Sequence, residues 1–239
     1  MKTILISGGK GKLGNYLIKE FLKNNNTIIN LSRNISNSKK NKLENFNCDL
    51  NRPKEIEKVL KKIKKKYKSL DAIINCAGKS KKTFRFSESK KDFQKSFEQN
   101  FFSFSNLLEN YLKIFKFKRT KILVFSSIVA NKITDAPLPY SISKNALNYY
   151  CKIKARDLSK YKIKINIISP GNILMENNNW MKKIKRNPNE VRKYIKNNVP
   201  LNSFCTPDQL FDLCLYLLKT SSDNITGSNF IIDGGESLK

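Results

Sequence analysis

The sequence predicts an α/β fold: a doubly wound parallel sheet with helices on both faces. Three observations carry that prediction. Short apolar runs alternate along the whole chain with longer stretches whose apolar residues recur three and four positions apart. A glycine cluster stands between the first apolar run and the first periodic stretch. No internal repeat or linker divides the 239 residues, a length that suits one domain able to bury a substantial core. Strands that alternate with helices pair in parallel, with the helices covering both faces of the sheet.

Taken in order, Lys2 to Ser7 is an apolar strand ending at Ser7-Gly8-Gly9-Lys10-Gly11-Lys12-Leu13-Gly14. Leu13, Leu17, Ile18, Phe21 and Leu22 then fall at helical spacing. Between a strand and a helix, such a turn presents backbone N–H groups and the positive helix end to a pyrophosphate. Thr27 to Leu31 is a second strand, followed by Ser32-Arg33-Asn34. An acidic residue at that strand end would bind a ribose 2′-hydroxyl, whereas a hydroxyl and a guanidinium suit a 2′-phosphate. Asn47-Cys48-Asp49-Leu50 closes a short third strand, and Pro53 to Tyr67 is a helix with Ile56, Val59, Leu60, Ile63 and Tyr67 on one stripe. Leu70 to Asn75 is a buried strand running into Asn75-Cys76-Ala77-Gly78, small enough for backbone to approach a ligand. Residues 79–91 read as a polar loop. Asp92 to Phe117 reads as one long helix, with Asn100 inside it and more aromatic residues than a single core-facing stripe needs. That excess fits either a second subunit or burial on both sides within one domain. Lys121 to Phe125, Lys162 to Ile168 and Asn229 to Ile232 complete the strands. Thr206-Pro207-Asp208 caps a helix reaching Lys219. Residues 172–205, of weak periodicity, read as a long mobile segment where a substrate lid belongs.

The chemistry concentrates between Val124 and Lys144. Tyr140 and Lys144 stand four apart in a segment, Pro139 to Lys160, that reads as helix, so both side chains share one face. A neighbouring ammonium favours an ionised phenol; at about 4 Å and an effective dielectric of about 20 the pair would interact by roughly 4 kcal/mol. Ser127, thirteen residues before Tyr140 at a strand end, could hold a carbonyl oxygen within reach of the phenol. Together the three could move a proton onto or off a carbinol oxygen. Tyr150 and Lys154 repeat the spacing, but thirteen residues before Tyr150 lies Pro137, which has no side-chain donor or acceptor.

Composition bounds the rest. The formal charge of +28 is spread over nearly every predicted helix, in company with abundant Asn and Ile. AT-rich coding explains that more simply than a nucleic-acid partner, for which no motif is present. Histidine is absent and the five cysteines lack metal-ligand spacing, which argues against a zinc or Ser-His site. Cys76 and Cys214 read as small core residues. With no signal-peptide pattern and no run of membrane-spanning length, a cytoplasmic protein is expected.

These landmarks together resemble the short-chain dehydrogenase/reductase family, over the whole chain from 1 to 239, with 3-oxoacyl-acyl-carrier-protein reductases and sugar or polyol dehydrogenases among the nearest patterns. The resemblance implies a single Rossmann-like domain, with a cofactor half to about residue 125 and a catalytic and substrate half from about residue 126. Asn100, Ser127, Tyr140 and Lys144 fall on the family's catalytic tetrad, with separations of 27, 13 and 4. Gly8, Lys10, Gly11, Lys12, Leu13 and Gly14 match its cofactor turn, and Asp49 with Leu50 its adenine contact. Asn75, Ala77 and Gly78 match its Asn-Asn-Ala-Gly motif, and Pro170, Gly171 and Ile173 the segment beside the nicotinamide. Residues 231–235 resemble its closing Val-Asp-Gly-Gly. Three departures stand out: Lys12 where glycine is usual, Cys76 for asparagine, and Met175 for threonine. The implied reaction passes a hydride between nicotinamide and a carbonyl carbon. Tyr140 gives the proton, Ser127 orients the oxygen, Lys144 holds the ribose and lowers the phenol pKa, and Asn100 supports a proton-relaying water. With Ser32, Arg33 and Asn34 at the second strand end, NADP(H) is the expected cofactor, with NAD(H) possible. The substrate is expected to be a small or carrier-linked carbonyl compound, and the assembly a homotetramer or dimer. A cofactor-binding sensor or interaction protein on the same fold is the non-enzymatic alternative.

Overall fold

The computed structural model describes residues 1–80, 88–176 and 178–239. Among these residues eight strands form one sheet: β1 (Thr3–Ser7), β2 (Thr27–Ser32), β3 (Ser38–Lys40), β4 (Leu43–Asn47), β5 (Ala72–Asn75), β6 (Thr120–Phe125), β7 (Ile163–Pro170) and β8 (Asn229–Ile232). Their order is β3-β4-β2-β1-β5-β6-β7-β8, and every neighbouring pair is parallel except β3 with β4. From β1 the chain winds outward first one way and then the other, so a crevice opens between the C-terminal ends of β1 and β5.

Strand alternation divides the core in two. Leu5, Ile73, Ile122, Val124 and Ile165 face α2 (Pro53–Lys66), α4 (Ser103–Phe115) and α5 (Leu138–Leu158). Ile4, Ile6, Ile74, Leu123 and Phe125 face α1 (Lys12–Lys23) and α8 (Pro207–Leu218). Buried strands with side chains packed on both faces need continuous apolar runs, which is why these segments show little polar alternation. Phe21 of α1 meets Phe211 of α8 edge-on at 4.9 Å between ring centroids. The Thr206 capping box at α8, in which Thr206 and Gln209 satisfy each other's backbone N–H, is the one expected from Thr-Pro-Asp.

Four expectations need correction. The third strand ends at Asn47, so Cys48–Leu50 lie in the turn beyond it; ahead of it the exposed hairpin strand β3 was invisible because it carries no apolar residue. The helix expected from Asp92 to Phe117 is three pieces: α3 (Lys90–Phe97), a π-turn at Glu98–Phe102, and α4. Residues 172–205, read from their weak periodicity as a long mobile segment, carry α6 (Asn179–Arg186) and α7 (Pro188–Asn198), closed around Val191, Val199 and Phe204 with Trp180, Ile184 and Tyr194. Asparagine and lysine dilute the periodicity there, yet three aromatic rings supply the packing: Trp180 lies 4.9 Å from Tyr194 and 4.7 Å from Phe204. Cys76 is only partly core: it packs against the apolar cluster on one side and lines the crevice on the other. Residues 81–87 of the expected loop lie outside the described residues.

Candidate active site

Two cavities open at the crevice and meet at Cys76, Gly78 and Lys79. The larger, about 430 Å³, is lined by Gly8, Lys10, Gly11, Ser32, Arg33, Asn34, Asp49, Leu50 and Ala77. The smaller, about 220 Å³, is lined by Leu13, Ser126, Ser127, Tyr140, Lys144, Pro170, Gly171 and Ile173. Lys12, Gly14, Asn75 and Asn100 line neither: Lys12 is exposed at the start of α1, and the other three are buried.

Glycines make the larger cavity possible. Gly8 has φ +77°, and a Cβ there would stand 2.7 Å from the Ala77 backbone nitrogen. A side chain at Gly8 would therefore be strained and would collide with the segment leaving β5. At Gly14 a Cβ would meet the Gly8 carbonyl at 2.5 Å, so this position is required for close packing of α1 on the turn. The Gly8-Gly11-Gly14 spacing thus survives the lysine at position 12: Gly11 N–H donates to Gly8 O at 2.9 Å and opens α1 without a side-chain cap.

At the end of β2 the two expected phosphate contacts separate. Ser32 Oγ accepts from the Lys10 N–H (3.0 Å) and donates to Asn30 Oδ1 (2.9 Å). Ser32 thereby braces the glycine turn while it lines the cavity. Arg33 is exposed and lines the cavity; Lys10 Nζ donates to the Asn34 carbonyl beside it. Across the cavity, Asp49 Oδ1 accepts from the Asn51 N–H at 3.0 Å.

Around the smaller cavity, Ser127 lies two residues beyond the end of β6 in extended conformation, and its Oγ accepts from the Val129 N–H. Asn145 Nδ2 donates to Ala130 O at 2.7 Å, which ties the Ser127 turn to α5 and sets Ser127 against Tyr140. Burial pushes the Tyr140 phenol above its ordinary pKa, and its hydrogen bond with Ser127 pulls the other way. Lys144 is fully buried, and its Nζ donates to the Phe125 carbonyl at 2.9 Å. Desolvation lowers its pKa from 10.5 to about 8. The ammonium stands 6.0 Å from the Tyr140 ring centre and is held on the strand end.

Asn100 acts through backbone. Its Oδ1 accepts from the Lys79 N–H (2.9 Å) and its Nδ2 donates to Lys79 O and Ser96 O (3.0 Å each). Taking the Ser96 carbonyl, four residues back, puts a side chain where a helical backbone N–H would normally bond, as the π-turn requires. The result clamps Gly78 and Lys79 beside Lys144. Tyr150 and Lys154, the decoy pair, are both bonded to Glu109 instead.

Sequence reasoning missed Ser126, Lys79 and Glu236. Ser126 Oγ is buried against the smaller cavity without a hydrogen-bond partner, as is Nδ2 of Asn75 at the end of β5. Nothing in composition or spacing marks Ser126 beyond its place beside Ser127. The Cys76 thiol, pushed up to about 12 by burial, stays neutral. All five cysteines are free, and no cluster able to hold a metal occurs among the described residues. No helix among them is long and apolar enough to cross a membrane.

The chain was compared with known proteins. The family model described as Enoyl-(Acyl carrier protein) reductase matches residues 23–237. The chain is 26% identical over 242 residues to the 3-oxoacyl-[acyl-carrier-protein] reductase FabG of Buchnera aphidicola subsp. Acyrthosiphon pisum, covering 98% of this chain and 96% of that protein. Its fold is similar to that of a short chain dehydrogenase from Leptospira borgpetersenii with bound NAD+, at TM-score 0.86 and 27% identity over 99% of this chain and 92% of that one. It is also similar to ElxO with NADP bound, at TM-score 0.88 and 25% identity over the whole of both chains.

Proposed function

We propose, because this chain belongs to the short-chain dehydrogenase/reductase family and is an NAD(P)-dependent oxidoreductase of CH–OH and carbonyl groups, that it works as an NADPH-dependent carbonyl reductase. The observation that carries this reading is the convergence of Ser127, Tyr140 and Lys144 on one cavity that meets a glycine-walled second cavity ending at Arg33.

The two cavities fit a dinucleotide. Gly8 keeps the wall of the larger cavity free of a side chain, and an orphaned buried polar atom, Ser126 Oγ, stands against the smaller one. Gly8, Gly11 and Leu13 would hold the pyrophosphate, Arg33 and Asn34 the 2′-phosphate, Asp49 and Leu50 the adenine, and Lys144, Pro170, Gly171 and Ile173 the nicotinamide riboside. When bound, the nicotinamide supplies or accepts the hydride at the carbinol carbon. Ser127 orients the substrate oxygen, and Tyr140, kept protonated by burial, gives that oxygen its proton in the reducing direction and takes it back in the other. Asn100 holds Gly78 and Lys79 so that Lys144 keeps its place. Behind Tyr140 a cavity of about 20 Å³, lined by Lys79, Ser96, Gln99 and Pro139 among others, has room for one water, which would return the proton from solvent.

Cofactor choice and substrate class are tested together. Oxidation of NADPH and NADH is followed against acyl thioesters, keto-sugars and simple ketones. Arg33 and a 2′-phosphate would make a charge-assisted contact worth about 1.5–3 kcal/mol, or roughly ten- to hundred-fold in affinity. Arg33→Ala should weaken NADPH by that factor and leave NADH nearly unchanged. Equal losses for both cofactors, or better use of NADH by the unmutated protein, would overturn the NADPH assignment; inertness toward every carbonyl would overturn the reductase.

The same reading includes a homo-oligomer, with a tetramer favoured over a dimer. Phe102 is 45% exposed on the π-turn, where Phe97, Phe101 and Phe102 form an aromatic cluster that meets Tyr150 of α5. A second copy would cover that face. Light scattering at micromolar concentration should report a multiple of the chain mass, and a monomer would refute it.

A further inference from the structure

We propose that Glu236 is a positioning residue, joining three segments around the smaller cavity into one wall; its kinetic consequences rest on the oxidoreductase reading above. The residue is 5% exposed, in the last turn of the chain after Asp233-Gly234-Gly235. A buried carboxylate is costly unless its oxygens are filled by donors. Here Oε1 accepts from Asn172 Nδ2 (2.8 Å) and from the Tyr194 hydroxyl (2.9 Å), and Oε2 accepts from the Asn172 N–H (3.4 Å). Its backbone carbonyl accepts from Lys132 Nζ, in the loop that follows Ser127.

Each contact reaches a different part of the site. Asn172 stands between Gly171 and Ile173, both of which line the smaller cavity. A Cβ at Gly171 would meet Asp233 Cβ at 2.7 Å and Glu236 Oε2 at 3.0 Å, so this turn lies close against the 233–236 segment that carries the carboxylate. Asn172 passes the constraint on: its Oδ1 accepts from Trp180 Nε1 at 2.8 Å, at the start of α6. Tyr194 belongs to α7 and stacks near Trp180. One carboxylate thus fixes the turn at the nicotinamide end, both helices of the 172–205 segment and, through its backbone, the Ser127 loop. A residue whose work was only to close the chain terminus would not need all three.

Trp180 is the only tryptophan, so its fluorescence reports this junction directly. Glu236→Ala should make Trp180 roughly twice as accessible to acrylamide quenching, since the hydrogen bonds that close the segment are gone. With a carbonyl substrate, KM should rise about ten-fold and the Kd for cofactor by a smaller factor, while kcat stays within about three-fold. Tyr194→Phe keeps the ring in its aromatic cluster and removes one donor, so it should fold and show a smaller rise in both readouts. Glu236→Gln retains an acceptor for Asn172 and should recover most of the loss. The proposal is overturned if quenching is unchanged in both Glu236→Ala and Tyr194→Phe. It is also overturned if kcat and cofactor affinity fall by as large a factor as KM rises and Glu236→Gln rescues none of them. Should no carbonyl be reduced at all, the reductase reading falls alone, because the quenching measurement still decides the role of Glu236.

Discussion

Tyr140→Phe is expected to lower kcat for carbonyl reduction by about 10²–10⁴-fold, the range that a positioned general acid contributes, while leaving cofactor affinity within about two-fold. The ring and its packing on α5 are retained and only the transferable proton is lost. Burial holds that phenol protonated at neutral pH, so the unmutated residue stands ready as the donor. Tyr150→Phe is the matched control: its hydroxyl donates to Glu109 at 3.3 Å, and Lys154 contacts the same carboxylate at 2.8 Å, away from both cavities. That variant should stay within about two-fold of the parent activity, because an isolated partly exposed contact of this kind carries little energy. Retention of most activity in Tyr140→Phe, measured by initial rates with saturating cofactor, would remove Tyr140 from the mechanism.

Lys144→Met should abolish turnover and yet not weaken the fold. The ammonium is buried, and desolvation lowers its pKa from 10.5 to about 8. At 1.36 kcal/mol per pKa unit, keeping it charged at neutral pH costs about 3 kcal/mol relative to an unfolded chain in which it is solvated. Removing the amine also deprives the Phe125 carbonyl of its 2.9 Å donor, a loss of about 1–3 kcal/mol. The first effect equals or exceeds the second, so the variant without cofactor should melt at the parent temperature or up to about 8 °C above it at pH 7. Between pH 8 and 10.5 the unfolded chain holds a proton that the folded parent has released. Stability owed to this group therefore rises with pH through that window, and any gap in Tm should close there. A variant several degrees less stable than the parent at pH 7 would show that Lys144 is a structural residue whose charge is not strained. A stabilised but inactive variant would show a functional charge held at the expense of stability.

The parallel sheet and most helices follow from local pattern. Apolar runs such as residues 4–6 and 122–125 bury side chains on both sheet faces, and the 3.6 period of Ile56, Val59, Leu60 and Ile63 makes a stripe that only a helix can bury. The positions of Ser127, Tyr140 and Lys144 were legible for the same reason, since one strand end and one helix face place them by short-range geometry. Where the sequence misled, the pattern was diluted, as in the Asn- and Lys-rich 172–205 segment, or the constraint came from far along the chain. Nothing local shows that Asn100 will clamp Lys79, that Ser32 will bond Asn30, or that Lys144 will bond the Phe125 carbonyl. Nor does it show that Glu236 will reach Asn172, 64 residues away. Periodicity records which side of an element avoids water. Hydrogen-bond partners of buried polar groups are chosen only when separate elements are packed, because an unpaired donor or acceptor there costs about 1–3 kcal/mol and each takes whatever partner the assembled sheet and helices bring within reach.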